Sequence, residues 1–351
     1  MSLKNKAIID EYKREKDTYI KLGDIVSNIL KKELKANDID FLAVEHRVKE
    51  ETSLEGKLEL KGEKYTSLSD ITDILGERII CFFSDDVDRA ASLVEKLFDI
   101  DWENSVDKRA KLLPDAFGYL SLHYICTLKE ELGYGEELNS KKFEIQIRST
   151  LQHTWASISH DLGYKSEYGV PKKITRELSR VAGLLEIADD QFINIRDDIR
   201  KYSDEVKLML EKGELGMVLI DLVTLEQYLE TNEEMKEFTN ELVAISGAKR
   251  KKISPESYIE QLNFLGKKTI GDIELMLVEN REKALKLARR TFETTELTRI
   301  SSNVALFFLC RAELLDNGYS IEDIARFMNI STNNERRALR QAEQLVNMNF
   351  I

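Results

Sequence analysis

Ile79-Ile-Cys-Phe-Phe83, followed at once by Ser84-Asp-Asp86, decides the fold class. Five consecutive apolar residues suit a strand buried on both faces. Ser84, with Asp85 and Asp86, then caps a helix that the spacing carries to about Leu97. A buried strand running directly into a helix implies a sheet with helices packed on it, and neighbouring stretches agree. Phe41-Leu-Ala-Val-Glu-His-Arg-Val-Lys49 alternates as a strand. Tyr119 to Leu128 and Phe143 to Arg148 read as two more, joined by the polar, glycine-containing loop 129–142 into a long-looped antiparallel hairpin. Residues 1 to about 36 have helical periodicity. From Ser149 onward only helical patterns recur: Leu151, Trp155, Ile158 and Leu162 mark one helix. A long one follows Pro171, with Leu178, Val181, Leu185, Phe192, Ile195, Ile199, Tyr202 and Val206 as apolar positions. The expected architecture is α+β, a mixed sheet with flanking helices (1–214), followed by an all-α region (215–351).

Bulk properties narrow the function. The 351 residues carry a formal net charge of −12, which speaks mildly against a duplex nucleic-acid binder without excluding a local basic pocket. Cys81, Cys126 and Cys310 are too far apart in sequence for a zinc or disulfide framework. No apolar run approaches a membrane span, and the charged N-terminus lacks a signal-peptide core, so a cytoplasmic location is expected.

Four stretches carry the polar chemistry. Arg47 and Lys49 share one strand face, and Ser53 and Lys57 share one helix face just beyond it, so three cations can converge as a triphosphate requires. Interleaved Glu45, Glu50, Glu51 and Glu55 make an ordinary charged surface the favoured reading of this stretch taken alone. Asp73, Gly76 and Arg78 set a carboxylate and a guanidinium at a strand entry, which suits a magnesium–nucleotide site and suits a surface acid as well. Glu144, Gln146 and Arg148 form a polar stripe opposite Phe143, Ile145 and Ile147. Tyr119, Ser121 and His123 share one strand face, fit to clamp a base and ribose or simply to fill a sheet.

Taken in order, the motifs resemble the synthetase domain of the RelA/SpoT family: R-V-K…S…K at 47–57, D-I-L-G-E-R-I-I at 73–80, G-Y-L-S-L-H at 118–123, E-I-Q-I-R at 144–148 and W-A-S-I-S-H-D-L-G-Y-K at 155–165. The resemblance covers roughly residues 20–210. It implies a nucleotidyltransferase-like sheet and transfer of pyrophosphate from ATP to the 3′-hydroxyl of GDP or GTP. By the same resemblance Arg47, Lys49 and Lys57 hold the ATP phosphates, and Arg78 lies against adenine. Asp73 and Glu144 hold Mg2+, Glu144 also serving the attacking hydroxyl. Tyr119 stacks on the acceptor base, and His123 contacts its phosphate or ribose. Ser53, Gln146 and Arg148 complete the nucleotide-binding set, and a homo-oligomer is expected.

One departure bears on the acceptor. The family carries a proline-lysine element before Gly-Tyr, whereas this chain reads Lys111-Leu-Leu-Pro-Asp-Ala-Phe-Gly-Tyr119, leaving Lys108, Arg109 and Lys111 to compensate. A toxin-type member acting on the 3′ end of tRNA, and a non-catalytic nucleotide-binding regulator, are the rival expectations. His160-Asp161 lacks the further histidines of a phosphohydrolase site, so no hydrolase is expected. Residues 320–345 resemble a helix-turn-helix with Arg336, Arg337 and Arg340 outside, and a helical hairpin used for packing is the preferred reading.

Overall fold

The computed structural model describes residues 2–107, 121–162 and 171–348, and the chain divides into two compact units, 1–196 and 197–351. The first is α+β. Its elements are α1 (Leu3–Ala36), β1 (Phe41–Val48), α2 (Glu51–Lys61), β2 (Leu75–Cys81), α3 (Ser84–Leu97), β3 (Phe98–Ile100), β4 (Val106–Asp107), β5 (Leu122–Leu128), α4 (Glu136–Asn139), β6 (Phe143–Ser149) and α5 (Thr150–Asp161). The first part of α6 (Lys172–Glu211) ends the unit. Sheet order is β1-β2-β6-β5-β3, with β4 paired to β5. β2 and β6 are parallel, and the other pairings are antiparallel, so the sheet is mixed as expected.

Alternation along the central strands creates two unlike faces. Leu75, Ile79, Phe143, Ile145 and Ile147 enter a core with Tyr12, Leu22, Val26 and Leu30 of α1 and Val87, Ala90 and Val94 of α3. Glu45, Arg47, Gly76, Arg78, Glu144, Gln146 and Arg148 fall on the other side. β2 begins at Leu75, four residues earlier than the apolar run suggests, because Gly76, Glu77 and Arg78 extend the pairing with β1. Ser84 is the first helical residue of α3, with Phe83 at the cap position.

Two polar residues stand on the helix-covered face. Glu77 is 1% exposed and sits opposite His46 across β1–β2. Ser27 of α1 donates its hydroxyl to Glu77 Oε2 at 2.9 Å and lies 3.1 Å from His46 Nδ1. Gly23, one helical turn earlier, leaves room for the imidazole: a Cβ there would lie 2.5 Å from His46 Cδ2. Gly23→Ala is therefore expected to displace His46 and to destabilise the unit by about 1–3 kcal/mol through overpacking. A thermal melt of this variant checks that expectation; an unchanged midpoint would mean that α1 shifts freely.

Of the apolar positions read on α5, Trp155 is buried, with Leu178 and Ala182 of α6, while Ile158 and Leu162 are about half exposed. A period of about 3.6 marks a face; it does not say that the face is covered. Arg196 binds Asp85 bidentately at 2.7 and 2.9 Å, and Ser149 donates to the buried Asp189 at 2.7 Å, so α6 is fixed to α3 and to the end of β6.

The second unit comprises the rest of α6, α7 (Leu222–Thr231), α8 (Glu233–Ser246), β7 (Lys249–Lys251), α9 (Glu256–Phe264), α10 (Ile270–Thr294), β8 (Arg299–Ser301), α11 (Val304–Asp316), α12 (Ile321–Thr332) and α13 (Glu335–Asn347). It is helical apart from β7 and β8, a parallel pair of three residues each. The run of cations in β7 has no apolar alternation, so no strand signal precedes it. α11 is its central helix, buried at nearly every position because Ala305, Leu306, Phe308, Leu309, Cys310 and Leu314 leave no polar stripe. α12 continues through Ile330-Ser-Thr332 and turns at Asn333, a left-handed residue with φ of 45°, into α13, capped by Asn334. Ala338, Ala342 and Leu345 form the buried side of α13. All three cysteines are free and buried, and among the described residues no helix is long and apolar enough to cross a membrane.

Candidate functional site

The open face of the sheet carries a cavity of about 340 Å³ lined by Glu45, Arg47, Lys49, Asp73, Gly76, Arg78, Glu144 and Gln146 together with His46 and Glu77. Its floor is set by register. Gly76 lies beside Glu144 and Arg78 beside Gln146 across β2–β6, while Arg47 lies opposite Gly76 and Glu45 opposite Arg78 across β1–β2. Glycine at 76 keeps the floor low: a Cβ there would meet only the Arg47 carbonyl oxygen, at 3.9 Å.

Asp73 stands just before β2, where two lysines reach it. Lys57 Nζ donates to Oδ1 at 2.6 Å, and Lys49 Nζ is 3.0 Å from Oδ2. Burial pushes this carboxyl up, but the Lys57 hydrogen bond and the Lys49 charge outweigh it and hold it below the ordinary carboxylate range.

Glu144 is held from two sides. His123 Nδ1 donates to Oε1 at 2.6 Å and Gln146 Nε2 to Oε2 at 2.8 Å, and the other His123 nitrogen lies 2.6 Å from the Ser121 hydroxyl. Arg148 Nη2 continues the ladder to Gln146 Oε1 at 2.8 Å. Burial again pushes Glu144 up; His123 and Gln146 reverse this, against the repulsion of Asp73, and the net direction is down. Asp73 and Glu144 line the same cavity. Hard oxygen donors from two acids, with room for phosphate oxygens and water, fit a magnesium ion, which rarely receives an all-protein cage. Among the described residues no group of three or more histidine, cysteine, aspartate or glutamate side chains forms a metal cluster.

The other end of the ladder is cationic. Burial and the neighbouring Arg78 push Arg148 down to about 10. His153 of α5 is also pushed down, by burial first and then by Arg78 and Arg148. Arg78 Nε, Arg148 Nε and His153 Nδ1 are buried without a hydrogen-bond partner among the described residues. Sequence reading missed His153; its position four residues after Ser149, on the helix that leaves the Glu144–Arg148 stripe, was the available signal.

The structure thus brings together Arg47, Lys49, Lys57, Asp73, Arg78, His123, Glu144, Gln146 and Arg148. Ser53 lies on the exposed side of α2, away from the cavity lining. Lys108, Arg109, Lys111 and Tyr119 fall outside the described residues.

Residues 46–169 match the family model described as the region found in RelA / SpoT proteins. The GTP pyrophosphokinase YwaC of Bacillus subtilis (strain 168) is 32% identical over 162 residues, covering 44% of this chain and 75% of the relative. The GTP pyrophosphokinase YjbM of the same organism is 30% identical over 156 residues, covering 44% and 72%. Among solved structures, the small alarmone synthetase 1 from Bacillus subtilis bound to its product pppGpp is 26% identical, with a TM-score of 0.45, covering 54% of this chain and 98% of that one.

Proposed function

Because the chain belongs to the RelA/SpoT family, we propose that it is a cytoplasmic pyrophosphokinase that transfers the β,γ-diphosphate of ATP to the 3′-hydroxyl of GDP or GTP. The observation that carries this reading is the convergence of Asp73 and Glu144 at one end of a cavity that also holds Lys49, Arg47 and Arg78. In the reaction the 3′-oxygen bonds to the β-phosphorus, the bond from that phosphorus to the α-phosphate oxygen breaks, and AMP leaves. No covalent enzyme intermediate is required, so catalysis rests on positioning and charge.

Asp73 and Glu144 are the residues that would hold magnesium, which when bound with ATP offsets the charge of the phosphates. Lys49 and Lys57 move from Asp73 to the phosphate oxygens, with Arg47 beside them. Arg78 takes the adenine. Glu144, kept ionised by His123 and Gln146, accepts the 3′-hydroxyl proton as the bond to phosphorus forms. His123 faces the acceptor's ribose or phosphate, and Tyr119 stacks on its base. We assign residues 1–214 to catalysis and 215–351 to an appended helical domain, in a chain that acts as a homo-oligomer.

The test is incubation with γ-labelled ATP and magnesium against GDP, GTP and tRNA in turn, with the labelled products resolved. Label is expected on GDP or GTP, with AMP released in equal amount. Label confined to tRNA would reassign the acceptor, and label on none of the three would overturn the reading.

A further inference from the structure

The second unit contains a cavity of about 430 Å³, within the range of small-molecule sites. Four segments line it: Glu226, Leu229 and Glu230 from α7, Thr239 from α8, Arg250 to Pro255 around β7 (Lys251 excepted), and Ser302-Asn303 before α11. It belongs wholly to residues 215–351, to which the pyrophosphate-transfer site assigns no role.

Three features give it a chemical preference. Arg250 and Lys252 are both exposed and lie on or beside a strand whose residues all face solvent. Lys252 is 2.8 Å from Glu230, and Arg250 reaches Asn240 at 3.4 Å. Second, α11 begins at the cavity with no side chain capping its first amide groups and no acid in its first turn. Asn303 stands at the cap position but turns its amide away, donating to the Ile253 carbonyl at 2.9 Å and accepting from the Ser302 hydroxyl at 3.2 Å. Five other helices of this unit, α8, α9, α10, α12 and α13, carry at least one acid in the first turn. At α11 the partial positive charge of a helix start remains available to an outside anion.

The third feature is independent of the helix start. Thr239 is 4% exposed and lines the cavity, and its hydroxyl has no hydrogen-bond partner among the described residues. That hydroxyl is open to a hydrogen bond with a ligand in the cavity.

We propose that this cavity binds a phosphorylated small molecule of nucleotide size. The phosphate lies against Arg250, Lys252 and the start of α11. Glu226 and Glu230 accept hydrogen bonds from hydroxyl or amino groups of the remainder, and Thr239 hydrogen-bonds it from the cavity wall. Two carboxylates beside two cations disfavour a bare polyanion and favour a molecule with an anionic end and a donor-bearing end.

Hydrogen exchange on the full-length protein tests this, because it reports by segment and separates this cavity from the catalytic one. The probes are inorganic phosphate and GMP, each against sodium chloride at matched ionic strength. Both probes are expected to slow exchange in 250–256 and 303–307 by roughly threefold or more, GMP at the lower concentration. Arg250→Ala with Lys252→Ala is expected to abolish that protection and to leave basal pyrophosphate transfer unchanged, which also shows that the variant is folded. Thr239→Val, which keeps the side chain's shape, is expected to weaken protection by GMP several-fold. No protection of these segments by either probe, or equal protection in the Arg250/Lys252 variant, would overturn the proposal.

Discussion

Glu144→Gln and Asp73→Ala are each expected to reduce pyrophosphate transfer about a hundredfold or more while leaving the protein folded. Loss of a general base alone accounts for about 10²–10⁴ in rate. At Glu144 a glutamine oxygen accepts from Gln146 and its amide donates to His123 Nδ1 in the other imidazole tautomer, so the ladder keeps its shape and loses the proposed proton acceptor. At Asp73 the loss is of another kind. One of the two acids fit for magnesium disappears, and Lys49 and Lys57 lose the carboxylate that orders them. The check is turnover of labelled ATP at saturating magnesium and saturating acceptor, with circular dichroism on the same samples. Near-wild-type turnover in either variant sinks the assignment of that acid.

The second large effect concerns stability and arises on the opposite face of the sheet. Glu77 is buried under α1, and burial pushes its carboxyl up to about 8, with Ser27 and Lys31 working against the shift and Asp24 adding to it. The groups facing it are Ser27, Asp24 and Lys31 from α1 and His46 from β1. A carboxyl whose folded value lies above its unfolded one keeps its proton in the native state. The native state is therefore progressively destabilised as pH rises from about 4.5 towards 8. The full effect is on the order of 3–5 kcal/mol, because every tenfold change in proton affinity between the folded and unfolded chain is worth about 1.4 kcal/mol. Glu77→Gln supplies the neutral form at every pH. It is expected to change the melting temperature little at pH 5 and to raise it by about 10 °C at pH 8.5. The two tryptophans, Trp102 and Trp155, both belong to residues 1–196, so intrinsic fluorescence follows the unit in question. An equal shift at both pH values, or a loss of stability at pH 8.5, would show that Glu77 is not held protonated by its burial at pH 5.

The same residue marks a limit of reading from sequence. Strands β1, β2, β5 and β6 and helices α1 and α3 were legible because periodic apolar residues set their burial; α6 was legible by the same period, although Val181, Phe192, Ile195 and Ile199 on it are about half exposed. The polar stripes were legible because strand alternation puts every second side chain on one side. Glu77 broke that alternation on the core side, and only the position of Ser27, fifty residues away, explains how it is accommodated. The partners of Glu144 could be named from the strands, but their order in a hydrogen-bonded ladder depends on strand register. His153 stayed unread because its neighbours Arg78 and Arg148 come from two other elements. The β7–β8 pair was invisible for a different reason: four consecutive cations give no periodic signal, and only tertiary pairing with Arg299–Ser301 makes them a strand.

The pairing of Asp73 with Lys49 and Lys57 has a consequence for how nucleotide enters. Two of the cations proposed to hold the ATP phosphates, Lys49 and Lys57, share the Asp73 carboxylate. On the proposed function, loading would be an exchange of partners, in which each ammonium group trades a carboxylate oxygen for a phosphate oxygen. Much of the desolvation of those lysines was completed when the protein folded. Attraction at long range is muted by the same arrangement, which makes arrival less sensitive to salt than the number of lysines and arginines around the cavity suggests.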